Sequence, residues 1–179
     1  MGSVLGYVPR FGLLTDEGRR QTGLWRLNLQ KPEAAAGLCH RHEGYGGCAY
    51  IVGLDQWLKT LDEDAKTYLK DFGAATASNG AVGLYHVEGI TPEAVQQGRD
   101  LIKEGAKTYV IDDGELERIY KSYPVIWKKK NVKPKLCFMG CPHMSLNQLI
   151  TWTKRVEKGL EKQDRTRWSF PPYLPRLPL

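Results

Sequence analysis

Short apolar runs that alternate with helix-start signals constrain this chain more than any other feature. Residues 23–29 alternate Leu24, Arg26 and Asn28 against Trp25, Leu27 and Leu29, the period of a half-buried strand. Residues 50–54 read as a second strand. Thr60 with Glu63 then has the capping-box spacing for a helix whose apolar face is Leu61, Ala65, Tyr68, Leu69, Phe72 and Ala75, ending near Asn79-Gly80. Residues 81–87 are a third strand. Thr91 caps the next helix, Pro92 suits its first position, Glu93 favours its dipole, Ile90 is spaced to staple onto Val95, and Gly105 closes it. Residues 107–111 form a further strand, Asp112 with Glu115 caps a short helix, and Pro124 stops it. Residues 136–139 form a last strand. Gly140 permits a turn, and Ser145 with Gln148 opens a helix that Met144 and Leu149 staple. Strands alternating with helices in this way predict the α/β class, with a mostly parallel sheet and flanking helices.

Parallel strands share one carboxyl edge, and a ligand site belongs there. That edge should collect His86 with Glu88-Gly89-Ile90-Thr91, Asp112-Asp113, and Cys141-Pro142-His143. Cys141 and His143 fall in a loop facing a helix N-terminus, where free amides favour a thiolate or an anion. Each residue also has a plain structural reading: Cys141 as a small core residue, His86 as a hydrogen-bonded strand-end histidine, and Asp112-Asp113 as helix caps.

Composition narrows the function classes. The net charge of +6 comes mostly from dispersed basic residues. The one cluster, Lys128-Lys129-Lys130 with Lys133 and Lys135, reads as a solvated connection, because no groove-reading motif accompanies it. The expectation is therefore no nucleic acid. No run of about 18 apolar residues is present for a membrane span, and no signal-peptide pattern opens the sequence, so a cytoplasmic protein is expected. Four cysteines, at 39, 48, 137 and 141, do not form the framework of a small secreted domain in 179 residues.

Taken together, Phe72-Gly73-Ala74-Ala75-Thr76-Ala77-Ser78-Asn79-Gly80-Ala81-Val82-Gly83-Leu84-Tyr85-His86, Gly89-Ile90-Thr91-Pro92-Glu93-Ala94 and Gly140-Cys141-Pro142-His143-Met144-Ser145 resemble the large subunit or catalytic domain of the aconitase X family. The opening Gly6-Tyr7-Val8-Pro9-Arg10-Phe11-Gly12-Leu13 resembles the segment preceding those motifs, so the likeness covers residues 6–33 and 50–162. The resemblance implies a hydro-lyase that dehydrates a small hydroxy acid with an iron-sulfur cluster as Lewis acid; known members act on cis-3-hydroxy-L-proline or phosphomevalonate. Such a metal stabilises hydroxide, a poor leaving group, as it departs. The partner it implies is a small subunit or fused small domain. It makes Cys141 a cluster ligand, and proposes His86, His143 and Ser145 as catalytic and Ser78, Thr91 and Glu93 as substrate-binding.

The family uses three cysteine ligands, two of them outside the matched stretch, and a serine from the small subunit. One thiolate cannot hold a cluster, so residues 1–179 alone are expected to be an inactive portion of a lyase. Residues 1–162 are expected to form the partial catalytic domain and 163–179 a proline-rich irregular tail. Residues 34–49 and 163–179 lack both periodicity and the family's pattern, and permitted codons allow each to be an out-of-frame reading of a better-fitting segment. Refusing the resemblance, Cys39, His40, His42 and Cys48 would suggest a zinc site in a standalone binding module, although adjacency of Cys39 and His40 strains one tetrahedral centre.

Overall fold

The structure, a computed structural model, describes residues 2–31, 48–124, 137–163 and 172–173. They fall into two compact units, Met1–Tyr123 and Pro124–Leu179. The first carries a four-stranded sheet built from β1 (Gln21–Asn28), β2 (Cys48–Val52), β3 (Leu84–Val87) and β4 (Ile102–Asp112), in the spatial order β3-β2-β1-β4. All three pairings are parallel, and the registers align Leu24 with Tyr50 and Tyr50 with His86. The α/β architecture expected from the sequence is the one observed.

Hydrophobicity explains the layering. β1 buries Trp25 and Leu27 on one face and leaves Arg26 and Asn28 exposed, the alternation seen in its sequence. β2 is buried on both sides from Cys48 to Ile51, as a central strand of a sheet covered on both faces must be. One face carries α3 (Glu63–Gly80) and α5 (Asp113–Ser122): Leu69, Phe72, Leu116 and Ile119 pack with Trp25, Ile51, Val87 and Ile111. The other face is thinner. There Tyr50 packs with Ala94 of α4 (Pro92–Gln97) and with Leu101 of the 3-10 turn Gly98–Leu101, flanked by Leu24, Val52 and Ile102. Two four-residue helices, α1 (Gly2–Leu5) and α2 (Asp16–Arg19), precede β1.

Several boundaries differ from those expected. The third helix is capped by Asp62, whose carboxylate accepts from Ala65 N at 2.8 Å, and Leu61 stays 40% exposed outside it. Asp is the better cap because its charge also complements the helix dipole. Val95 is 63% exposed, so no staple to buried Ile90 forms. α4 ends at Gln97, and Gly105 lies inside β4 at φ +77. Gln21 pairs with Ile102 but Gly23 with Lys107, so β4 bulges at residues 103–106, and glycine supplies the left-handed backbone that the bulge requires. β2 begins two residues earlier than expected, at Cys48, and ends at Val52, before Gly53, whose added Cβ would meet the Leu27 carbonyl oxygen at 2.4 Å.

In the second unit, β5 (Cys137–Phe138) is two residues long and pairs in parallel with Pro172–Tyr173 rather than extending the four-stranded sheet. A longer strand here was expected from the apolar run at 136–139. α6 (Leu146–Glu161) follows with the expected capping box: Ser145 Oγ accepts from Gln148 N, and Gln148 Oε1 accepts from Ser145 N at 2.9 Å. Met144 is buried beside that cap. Residues 32–47, 125–136, 164–171 and 174–179 lie outside the described residues, and with them Cys39, His40 and His42 of the zinc reading.

Phe72 is the packing keystone of the first unit. It is fully buried, with its ring 6.3 Å from Trp25, 6.2 Å from Tyr68 and 5.5 Å from Tyr85. Phe72→Ala should cost about 3–5 kcal/mol through lost burial and the cavity left behind, read as a lower urea midpoint. An unchanged midpoint would show that α3 does not rest on this ring.

Candidate functional site

β3 places His86 on the thin face of the sheet, because Val87 faces the aromatic core and strand side chains alternate. The ring is fully buried, and neither nitrogen has a hydrogen-bond partner within 3.5 Å at good geometry. Its nearest charged neighbour is Glu93 of α4, with Oε2 3.5 Å from Nδ1. The other oxygen of Glu93 pairs with the Arg19 guanidinium. Gln21, also fully buried, donates from Nε2 to the Arg19 carbonyl at 2.6 Å, while its Oε1 and Arg19 Nε are left unpaired. Tyr50, the register partner of His86, has a buried hydroxyl with no partner. Arg19, Tyr50, His86 and Glu93 thus form a polar group at the thin face, to which Gln21 is linked through the Arg19 carbonyl, with open hydrogen-bonding capacity that a buried site normally fills.

Burial holds the His86 imidazole below its ordinary pKa, and Glu93 opposes that only in part. Burial likewise pushes up the phenol of Tyr50 and the thiol of Cys48. The ring of His86 is therefore neutral at pH 7, and its neighbours on β2 are protonated.

The remaining residues expected at the site are placed differently. Thr91 does not cap α4 through its side chain. Its hydroxyl accepts from Val87 N at 2.9 Å and donates to Val87 O at 3.3 Å, closing the turn after β3. Ser78 lies in the last turn of α3, which returns from the carboxyl end of β2 to the amino end of β3, so it stands at the opposite sheet edge from Thr91; its hydroxyl donates to Ala75 O at 3.1 Å. Asp112 caps α5 by accepting from Glu115 N at 2.8 Å, and the Asp113 carboxylate accepts from Gln30 N at 3.3 Å, so both act structurally.

Cys141, His143 and Ser145 belong to the second unit. Cys141 is exposed and unpaired, in the left-handed region at φ +58 after Gly140 at +149. His143 is also exposed, and Ser145 is committed to the α6 cap. Cys48, the one described member of the zinc reading, is buried in β2 with its thiol directed at the Gly18 carbonyl, 3.6 Å away.

No group of three or more His, Cys, Asp or Glu able to hold a metal ion occurs among the described residues. Iron-sulfur clusters need several thiolates, so the described donor set, which includes the exposed thiol of Cys141, does not by itself fit one. Arg19 and Gln21 escape sequence reading because their partners are distant in the chain and no local period marks them. Their one signal is weak: a buried-parity Gln at the start of an otherwise apolar strand face.

The depressed His86 pKa has a testable sign. Between its folded value and the ordinary 6.5, the unfolded chain binds the extra proton, so stability should rise with pH in that window and gain nothing further from this group above it. Urea unfolding across that range should show the slope in the parent chain and a flatter one in His86→Gln; equal slopes would remove His86 as the cause.

Comparison with known proteins gives these features a setting. The family model for the aconitase X second domain matches residues 42–121. The phosphomevalonate dehydratase large subunit of Thermococcus kodakarensis is 30% identical over 152 residues, which are 82% of this chain and 35% of that protein. The subunit of the same name from Methanosarcina mazei is 30% identical over 154 residues, 82% of this chain and 33% of that one. Cis-3-hydroxy-L-proline dehydratase of Hypocrea jecorina is 31% identical over 101 residues, 55% of this chain and 16% of that enzyme. The chain spans about a third of the length of the two large subunits. The fold matches the crystal structure of Thermococcus kodakaraensis aconitase X in its holo-form with a TM-score of 0.66 at 23% identity, over 97% of this chain and 41% of that one. By its matching domain and its relatives, the chain belongs to the aconitase X family.

Proposed function

We propose that this chain is a portion of the large subunit of an iron-sulfur hydro-lyase that dehydrates a small hydroxy acid. The observation that carries the reading is that relatives from two branches, a phosphomevalonate dehydratase large subunit and a cis-3-hydroxy-L-proline dehydratase, share about 30% identity with it and are both named dehydratases. Residues 1–162 are the catalytic-region segment and 163–179 an appended tail. The partner is a small subunit or fused small domain, as the name "large subunit" suggests for the relatives. The unpaired thiols Cys48 and Cys141 suit a reducing compartment, and no described helix is long and apolar enough to cross a membrane, so we assign it to the cytoplasm.

Dehydration needs a proton removed beside the departing hydroxyl. His86, His143 and Ser145 are the groups assigned to move or hold that proton, and a neutral imidazole is the form able to accept it. Ser78, Thr91 and Glu93 are assigned to substrate contact. Thr91 and Ser78 spend their hydroxyls on local carbonyls, so contact with substrate requires those bonds to be exchanged. Cys141 is assigned as one ligand of the cluster, its exposed thiol standing where a helix N-terminus follows.

The reading is tested by iron and sulfide reconstitution. The 179-residue chain alone should retain no cluster and show no dehydratase activity. Supplied with the remaining large-subunit segments and the small subunit, it should gain both, and Cys141→Ser in that assembly should lose both while Cys48→Ser keeps them. A cluster that survives Cys141→Ser would overturn the ligand assignment, and an assembly that dehydrates neither phosphomevalonate nor cis-3-hydroxy-L-proline would overturn the substrate class.

A further inference from the structure

Glu93 divides its carboxylate between two partners. Oε1 pairs with the Arg19 guanidinium, and Oε2 lies 3.5 Å from His86 Nδ1. The three side chains come from α2, β3 and α4, and their exposure is graded: 41% for Arg19, 27% for Glu93 and 1% for His86. A charge at the rim thus reaches a buried ring through one intervening carboxylate. We infer that Arg19 is a positioning residue for His86: by holding one oxygen of Glu93 it sets where the other meets Nδ1, which keeps Nδ1 protonated and leaves the lone pair on Nε2.

The chemistry of the groups fixes this polarity. A neutral imidazole carries one donor and one acceptor nitrogen, and an ionised carboxylate only accepts, so the nitrogen facing Glu93 is the N–H. Nε2 is buried and makes no hydrogen bond of good geometry, so with Nδ1 protonated it carries the lone pair. Other ionisable groups on the elements around the ring do not compete. Tyr50 and Cys48 on β2 are held protonated by burial, and Lys103 on β4 is paired with Glu17 at 2.8 Å. The charges next to His86 are those of Glu93 and Arg19; the Arg19 carbonyl, which accepts from Gln21, also lies close enough to the ring to favour its protonated form, though less than Glu93 does. If Arg19 were removed, the carboxylate would lose its second partner and turn wholly to the ring, stabilising the imidazolium.

The inference rests on the reading above only in giving His86 a proton to move; the arrangement itself is measurable without turnover. The full 179-residue chain, labelled with ¹⁵N, would be titrated while its histidine ring nitrogens are observed, with the His86 signals identified among four histidines by their loss in His86→Gln. The parent should show the Nδ1–H tautomer. Arg19→Gln should raise the His86 titration midpoint and populate both tautomers, Arg19→Lys should restore the parent pattern, and the rise should largely vanish when Glu93→Gln is already present. An unchanged midpoint and tautomer in Arg19→Gln would overturn the inference. So would an equal rise with and without Glu93, since Arg19 would then act on the ring directly. Should Arg19→Gln not fold, the tautomer in Glu93→Leu decides, since leucine offers Nδ1–H no acceptor: retention of Nδ1–H would exclude Glu93 as the link. Activity separates the two readings: a moved titration with full dehydratase activity in the assembled enzyme would sink the role of His86 in turnover and leave the positioning intact.

Discussion

The burial of Phe72 against Trp25, Tyr68 and Tyr85 fixes α3 on one face of the sheet, and most of the first unit follows from that contact. α3 is the crossover between β2 and β3, so its seat determines where β3 enters the sheet and in which register. Val87 must then face the aromatic core. Because strand side chains alternate, His86 must face the other way, under the thin layer made by α4 and the 3-10 turn. Ala94 is the α4 residue buried there, and its small side chain lets the helix approach closely enough for Glu93 to reach the ring. The polar group is thus a by-product of apolar packing on the opposite face.

Electrostatics gives that group its character rather than its strength. Arg19 and Glu93 are partly solvated, and an ion pair of that kind contributes about 0–1 kcal/mol once screening and side-chain ordering are counted. The stability of the unit comes instead from burial of Trp25, Ile51, Leu54, Phe72 and Ile111. What the ion pair does is restrict geometry: a carboxylate with two partners has one orientation, and a buried imidazole beside it has one tautomer. Under the proposed dehydratase reading, a ring kept neutral by burial is already in its basic form at neutral pH.

Local signals were legible in the sequence and long-range ones were not. The alternation in β1, the Asp112 cap and the Ser145–Gln148 box each depend on residues within a few positions, and each appears as read. Thr60 and Asp62 both offer a capping oxygen, the sequence pattern favours Thr60, and only the packed helix assigns the cap of α3 to Asp62. Gly105 looked like a helix stop and is a bulge glycine, since a left-handed residue serves either purpose. β5 carries the apolar composition of a sheet strand but, among the described residues, pairs with Pro172–Tyr173, and nothing local records which partner a strand finds. For the same reason His86 could be singled out from its motif while Arg19 and Gln21, which complete its surroundings, could not.

Two described non-glycine residues adopt the left-handed backbone, and their contrast bears on the second unit. Ala81, at φ +52, ends α3: its N–H caps the carbonyls of Ala77 and Thr76, and helix closure accounts for its conformation. Cys141, at φ +58, closes no helix and precedes the α6 cap by several residues. A side chain in that region costs about 1–2 kcal/mol relative to glycine, and glycine already stands next door at position 140. Such a cost is borne where a side chain must be aimed, and observed backbone outliers of this kind are grounds for a functional reading. The thiol that results is exposed, whereas Cys48 is buried and its thiol is held in the protonated form. Under the proposed dehydratase reading, Cys141 is the one of these two thiols whose backbone and exposure both suit a ligand.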